Sequence, residues 1–166
     1  MTNSIDVCKT CRKPKANFHC GLCSDSICKS CAQFLEEGAF SFLRKVPADF
    51  THPTYCTNCF DDKISAPLND YNQKLEEARE VYIFTKDQTK QTRLLKRKEE
   101  PYVVENCEDE QEALLRMSFW AVEAKFNALI DIQLSHKKII VGSHKKTIWA
   151  ATAIPIFIDP DKVRGF

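Results

Sequence analysis

Residues 8–31 read CKTCRKPKANFHCGLCSDSICKSC, and residues 55–60 read YCTNCF. These two stretches hold four Cys-x-x-Cys pairs, a spacing that lets one tight turn present two thiolates to a single tetrahedral ion. The pairs are Cys8/Cys11, Cys20/Cys23, Cys28/Cys31 and Cys56/Cys59. Eight ligands divide into two sets of four, so the pattern predicts two Cys₄ metal sites in the N-terminal part of the chain.

Zinc is the expected metal, because closed tetrathiolate sites in interaction modules usually hold zinc, although rubredoxin-like iron or an iron–sulfur site uses the same ligands. A thioredoxin-type redox pair is one alternative, but no strand–helix context surrounds any of the four pairs. Disulfide pairing is the other, and a reducing compartment argues against it. Four protein thiolates leave no position for water or substrate, so we expect two structural zinc ions and no catalytic role for them.

The chain has 166 residues, of which 43% are hydrophobic and 28% charged, and its formal net charge is +1. This is ordinary for a soluble globular protein and gives no global case for binding nucleic acid or an anionic membrane. Residues 1–8 are polar and lack the apolar stretch of a secretory signal, and no later run is long enough to span a membrane. We therefore expect a cytoplasmic protein whose partner is another protein.

The composition changes near residue 60, before which all cysteines but Cys107 occur. We expect an α+β protein in which a small two-zinc finger is followed by an α+β domain with an antiparallel sheet and one long helix. Ser65 is the expected cap of a helix that joins the two parts. The predicted parts are a zinc finger over residues 1–64, a connecting helix over 65–80 and the α+β domain over 81–166.

The second domain shows one helical pattern and several strand patterns. A long helix is expected to be capped by Asn106 and to continue to about Phe126. Ile130, Ile132 and Leu134 alternate with polar residues, which predicts a half-buried strand. Further strands are predicted at Val81–Phe84, Tyr102–Val104 and Ile148–Ile158.

The tetrad Ser-His-Lys-Lys occurs twice, at residues 135–138 and 143–146, on either side of an apolar run. A long hairpin with a basic tip is the simplest interpretation, and a phosphate or an acidic partner at that tip is the alternative use. The segment Lys86–Glu100 is also locally basic, and we expect a solvated loop there. Nucleic-acid binding through Lys90–Lys98 and this hairpin is not favoured, because few aromatic residues interleave the lysines.

Other residues near the cysteines have modest expected roles. Lysines and arginines around the first pairs can offset the formal charge of −2 on a tetrathiolate zinc site, or bind a ligand. His19 and His52 are expected to lie beside the metal ligands or at the surface, because the four pairs already supply eight ligands. Cys107 is expected to be a small packed side chain.

The spacing of the pairs, Cys-x₂-Cys-x₈-Cys-x₂-Cys-x₄-Cys-x₂-Cys-x₂₄-Cys-x₂-Cys, resembles the FYVE-type zinc finger over about residues 6–62. His19 before Cys20, Ile27 before Cys28 and Phe60 after the last cysteine agree with that family. The resemblance implies a treble-clef or cross-brace fold with interleaved ligands. Sequential pairing stays open from spacing alone. The implied sets are Cys8, Cys11, Cys28 and Cys31 for one zinc, and Cys20, Cys23, Cys56 and Cys59 for the other.

The chain departs from the FYVE pattern where that family binds phosphatidylinositol 3-phosphate. The basic, histidine-containing run before the third cysteine is replaced by Ala16–His19, and Gly21 follows Cys20. Without charge-assisted donors a phosphoinositide headgroup is held weakly. We therefore expect a FYVE-like scaffold without the lipid function, and a phosphoinositide membrane is not an expected partner. The remaining candidate ligand-binding residues are Lys13, Lys15 and His19.

The second half resembles, over a shorter pattern, small α+β proteins of the YbjQ-like family. The similarity covers a helix ending in residues 126–130, a strand, a hairpin and a last strand through Trp149 and Ala151. This resemblance implies a homo-oligomer and no catalytic residues. We therefore expect a non-enzymatic intracellular zinc-binding interaction or scaffold protein. The alternatives are a membrane-recruiting FYVE module and a RING-like ubiquitin ligase, which the four-residue central gap argues against.

Overall fold

The computed structural model describes residues 6–88, 92–93 and 95–164, and Lys90 of the predicted basic loop lies outside them. The protein is α+β and divides into two compact units, Met1–Asn72 and Gln73–Phe166.

The first unit is made of short elements around the cysteine pairs. Strand β1 (Phe18–His19) pairs with β2 (Ser26–Ile27), and β3 (Ala32–Phe34) pairs with β4 (Thr54–Cys56), both antiparallel. Strands of two or three residues cannot support a sheet without help from elsewhere in the fold. The large side chains that are completely buried among the cysteines are Ile27, Tyr55 and Ile64.

A continuous helical segment begins within the last cysteine pair. Helix α1 (Thr57–Cys59) leads through one π-helical turn (Phe60–Ile64) into helix α2 (Ser65–Arg79). The expectation that Ser65 caps a new helix is wrong, because its φ and ψ of −57° and −51° are helical. The segment is capped at its true start, where the Cys56 side chain accepts a hydrogen bond from the Cys59 N–H.

The second unit is built on one four-stranded sheet in the order β5-β7-β8-β6. Its strands are β5 (Tyr82–Thr85), β6 (Tyr102–Cys107), β7 (Ala128–Val141) and β8 (His144–Ile156). The β7–β8 hairpin confirms the hairpin predicted from the repeated tetrads. The expected antiparallel sheet is wrong at one edge, where β5 runs parallel to β7 and makes the sheet mixed. The chain passes through β6 and a helix between these two strands, so no tight turn forces them to be antiparallel.

Helix α3 (Glu110–Glu123) packs on this sheet through Ala113, Met117 and Ala121, as the apolar spacing predicted. Its cap is Asp109, whose carboxylate accepts the Glu112 N–H at 2.7 Å, and not Asn106. A short helix, α4 (Pro160–Val163), ends the described chain.

The alternation predicted for Ile130, Ile132 and Leu134 is interrupted by a bulge. Asp131 has a φ of +53°, and the β7–β8 register shifts between Ile130 and Gln133. An extra residue in a strand reverses which face the following side chains occupy. Ile132 and Leu134 therefore pack with α3, whereas Ile130 belongs to a different core cluster with Phe84, Ala128, Ile156 and Ile158.

Candidate metal centres

The structure brings the eight paired cysteines together in two groups of four. Within each group the four Sγ atoms all lie within 4.8 Å of one another. One group comprises Cys8, Cys11, Cys28 and Cys31, and the other comprises Cys20, Cys23, Cys56 and Cys59. The first and third pairs share one group and the second and fourth share the other, which is the interleaved arrangement that the FYVE resemblance implied.

The first two pairs lie on turns of the same design. The Arg12 N–H donates to the Cys8 carbonyl at 2.8 Å, and the Ser24 N–H donates to the Cys20 carbonyl at 2.9 Å. Arg12 and Ser24 both have a left-handed backbone, with φ of 59° and 63°. This tight closure directs both thiols of a pair to the same side of the turn, as ligation of one ion requires.

The first cysteine of each turn is fixed a second time. The Cys8 N–H donates to the Lys13 carbonyl at 2.9 Å, and the Cys20 N–H donates to the Asp25 carbonyl at 3.0 Å. In both cases the acceptor is five residues further along the chain. The same backbone geometry therefore occurs twice, once in each thiol group.

The other two pairs use different local structures. At the third pair, the N–H groups of Cys31 and Ala32 both donate to the Cys28 carbonyl at 3.0 Å. The fourth pair lies at the start of the helical segment, where the Cys59 N–H donates to Cys56 Sγ at 3.4 Å. The fourth pair thus gains its turn from the start of a helical segment and not from the closure that the first two pairs share.

The β3–β4 sheet connects the two thiol groups. Strand β3 begins directly after Cys31 of one group, and β4 ends at Cys56 of the other. Ala32 and Cys56 are paired across the two strands. A backbone ladder thus links the two candidate centres directly.

The sulfur–sulfur distances fit a tetrahedral metal site. Cys11 Sγ and Cys28 Sγ are 3.6 Å apart, and Cys23 Sγ and Cys56 Sγ are 3.8 Å apart. A disulfide needs about 2.0 Å, so these pairs are not bonded to each other. A tetrahedron with metal–sulfur bonds of about 2.3 Å has edges of about 3.8 Å. The thiol groups therefore have the size of a tetrathiolate centre, and each could hold one metal ion.

The thiols within one group differ in acidity. Hydrogen bonds from the backbone N–H groups of Cys11 and Cys28 lower the pKa of Cys8 to about 6, whereas the neighbouring thiols of Cys11 and Cys28 raise the pKa of Cys31 to about 12. In the other group burial opposes ionisation of Cys20, but backbone hydrogen bonds outweigh it and lower its pKa to about 6. Each group can form a first thiolate readily and opposes the last, so a bound cation is needed to ionise all four.

The candidate ligand-binding residues lie outside both groups. His19 is exposed, and its Nδ1 lies 3.4 Å from the Ser26 hydroxyl. Lys13 and Lys15 are exposed as well. These three side chains belong to neither thiol group, and each group has four sulfur ligands without them.

His52, the other histidine of the finger, packs against the second thiol group's turn. A Cβ added at Gly21, directly after Cys20, would lie 2.2 Å from His52 Cγ. No side chain fits at position 21 in this arrangement. The absence of a basic residue there, noted as a departure from the FYVE pattern, therefore has a packing reason.

Tyr55 is the residue of the finger that sequence analysis missed. Its side chain is completely buried, its hydroxyl donates to the Asp49 carbonyl at 2.7 Å, and it accepts the His52 N–H at 3.2 Å. Burial raises the pKa of this hydroxyl. Its position next to Cys56 is the only sequence signal for this role, because the loop that its hydroxyl fixes has no regular sequence pattern.

Cys107 lies in the second unit and belongs to neither group. It is completely buried among the side chains that pack against α3, and burial raises the pKa of its thiol. This agrees with its expected role as a small packed side chain.

Comparison of the chain with protein-family models, with curated proteins and with solved structures finds no match. Among the described residues, the helices are all too short or too polar to cross a membrane.

Proposed function

We propose that this protein is a non-enzymatic interaction or scaffold protein whose first unit is a FYVE-like finger stabilised by two structural zinc ions. The observation that carries the proposal is the pair of complete four-thiol sets. A catalytic zinc keeps one coordination position for water or substrate, whereas four thiolates fill the tetrahedron. Neither centre would then have a position at which to activate a reactant.

The function that remains for such a finger is to present a surface. A unit whose regular strands are two or three residues long depends on its metals for a defined shape. Loops and turns that are fixed in this way can recognise a partner protein, and a cytoplasmic location is the compartment in which the reduced thiols fit best. The YbjQ-like pattern of the second unit supports a further proposal, that this unit forms a homo-oligomer.

The test compares protein capture by the metal-loaded chain and by a variant of one centre. Cys20→Ser/Cys56→Ser removes two thiols from the same group, and Cys107→Ala, which changes a cysteine outside both groups, is the matched control. We expect proteins captured from a lysate by the wild type to be captured equally by the control and lost with the centre variant. Equal capture by all three proteins, or formation of ubiquitin chains by the purified wild type, would contradict the proposed function.

A further inference from the structure

The β7–β8 hairpin is longer than the sheet to which it belongs. Strand β5 pairs with β7 only as far as Ile132, and β6 pairs with β8 only as far as Trp149. Beyond these positions the two hairpin strands pair with each other through to Val141 and His144. From Lys137 to Val141 the ribbon is about 13 Å long at an extended rise of about 3.3 Å per residue. Lys137–Thr147 is called the arm below.

The arm carries a net positive charge. Between Asp131 and Asp159 the sequence contains four lysines and no acidic residue. Lys146 contacts the Glu108 carboxylate at 3.4 Å, an exposed pair that neutralises little of the charge. For Lys138 and Lys145, both exposed, the described part of the chain supplies no ion pair. A protein with a net charge near zero thus concentrates positive charge on one projecting ribbon.

The end of the arm is apolar. Ile140 and Val141 are 74% and 56% exposed, directly before the turn at Gly142. Ile140 is paired with Lys145 across the strands, and Lys138 lies two residues behind Ile140 on the same face. Aliphatic side chains therefore lie at the tip, with Lys145 beside Ile140 and Lys138 two positions behind it.

We propose that the arm docks onto the surface of an anionic lipid bilayer. Ile140 and Val141 would enter the boundary between headgroups and acyl chains, which amphipathic elements reach to a depth of about 5–10 Å. Lys138 lies about 7 Å behind Ile140 along the strand, at the level of the anionic headgroups. Lys145 lies beside Ile140, and its long side chain can extend back to the same headgroup level.

The residue types favour a bilayer over nucleic acid. A two-stranded ribbon can enter the major groove of DNA, where Arg makes bidentate phosphate contacts and Asn or Gln reads adenine. From Ser135 to Thr147 the hairpin contains none of these, and no Phe, Tyr or Trp for stacking. Lysine is a compact point charge that suits the diffuse potential of a lipid surface.

The test is pelleting with vesicles of phosphatidylcholine containing about 30 mol % phosphatidylserine and no phosphoinositide, using the full zinc-loaded chain. We expect the wild type to pellet with these vesicles, to remain in solution with pure phosphatidylcholine, and to be released as salt rises from about 0.1 M to about 0.5 M. Lys138→Glu/Lys145→Glu should weaken binding by about twentyfold or more, because each lysine near such a surface contributes roughly fivefold. Ile140→Asn/Val141→Asn should weaken it at least about tenfold through lost apolar burial.

Matched controls test whether vesicle binding depends on the arm itself, rather than on total charge or on any exposed apolar side chain. Lys96→Glu/Lys98→Glu makes the same charge change outside the arm, and Val103→Asn removes another exposed aliphatic side chain. Both should bind as the wild type does. The proposal is overturned if the wild type does not pellet, if arm variants bind like these controls, or if the arm binds duplex DNA and not the vesicles.

Discussion

Removal of the metals should unfold the first unit and leave the second folded. The two core clusters of the second unit contain none of the eight paired cysteines. In the first unit, by contrast, Cys8, Cys20 and Cys56 are themselves buried members of the core cluster. A strong chelator with a thiol reductant should therefore act on one unit alone.

The magnitudes support this expectation. The large side chains buried in the cluster around the cysteines are Ile27, Tyr55 and Ile64. Burying each stabilises the fold by about 1.5–3 kcal/mol, or roughly 5–9 kcal/mol together. A structural zinc contributes about 10–16 kcal/mol of apparent binding free energy per site at neutral pH. Loss of two such sites exceeds what these three side chains can supply.

Tryptophan fluorescence and NMR spectra report on the two units individually in the intact chain. Both tryptophans, Trp120 and Trp149, lie in the second unit, so their fluorescence should stay constant during chelation. In ¹H–¹⁵N spectra the amide signal of Ile27 should collapse to a disordered position, while that of Leu129 should remain dispersed. A finger that stays dispersed without metal, or two units that collapse together, would refute the reasoning.

Three further predictions concern packing, charge and lipid. Gly21→Ala should lower the free energy of unfolding of the metal-loaded first unit by about 1–3 kcal/mol in urea, because the new Cβ overlaps His52. Asp131→Asn should destabilise the second unit by about 1 kcal/mol at neutral pH, because it breaks the two-point ion pair with Arg97. Adding phosphatidylinositol 3-phosphate to vesicles of fixed total charge should not change binding of the wild type or of a triple alanine variant at Lys13, Lys15 and His19.

Each of these has an outcome that would count against it. For Gly21→Ala, adding His52→Gly should recover part of the loss, and an unchanged or larger loss would mean that the overlap is not the cause. For Asp131, the Arg97 guanidinium lowers the carboxyl pKa, so the stabilisation is fully present above the ordinary carboxyl pKa and disappears as pH falls through the lowered value. A difference from Asp131→Asn that persists at the lowest pH would contradict this account. A lipid-dependent gain that the triple variant abolishes would restore the phosphoinositide function.

Much of the architecture follows from local patterns in the sequence. The four Cys-x-x-Cys pairs fix which residues are candidate ligands, because a two-residue spacing places both thiols on one turn. The apolar spacing of Ala113, Met117 and Ala121 predicts the helix face that packs on the sheet. The repeated tetrads predict the β7–β8 hairpin, since they lie on either side of one short apolar run and are close in sequence.

The features that escaped prediction depend on pairing between distant residues. The parallel direction of β5 is set by its partner β7, more than forty positions away. The left-handed backbone of Asp131 interrupts an alternation that is otherwise regular in sequence. The helix cap at Cys56 is not predicted from the sequence, because a cysteine in a Cys-x-x-Cys pair is typical of a metal ligand and not of a helix cap. Spacing alone likewise does not predict which pairs share a metal site, because the interleaved and the sequential arrangement use the same Cys-x-x-Cys turns.

The most direct test of the central claim counts the zinc ions that resist a chelator in two double variants. Cys8→Ser/Cys28→Ser removes two thiols from the same group, and Cys8→Ser/Cys20→Ser removes one thiol from each. The account predicts two tightly held zinc ions in the wild type, one in the first variant and none in the second. Sequential pairing predicts none in the first variant and one in the second, and that result, or a wild type that holds no zinc, would contradict the account.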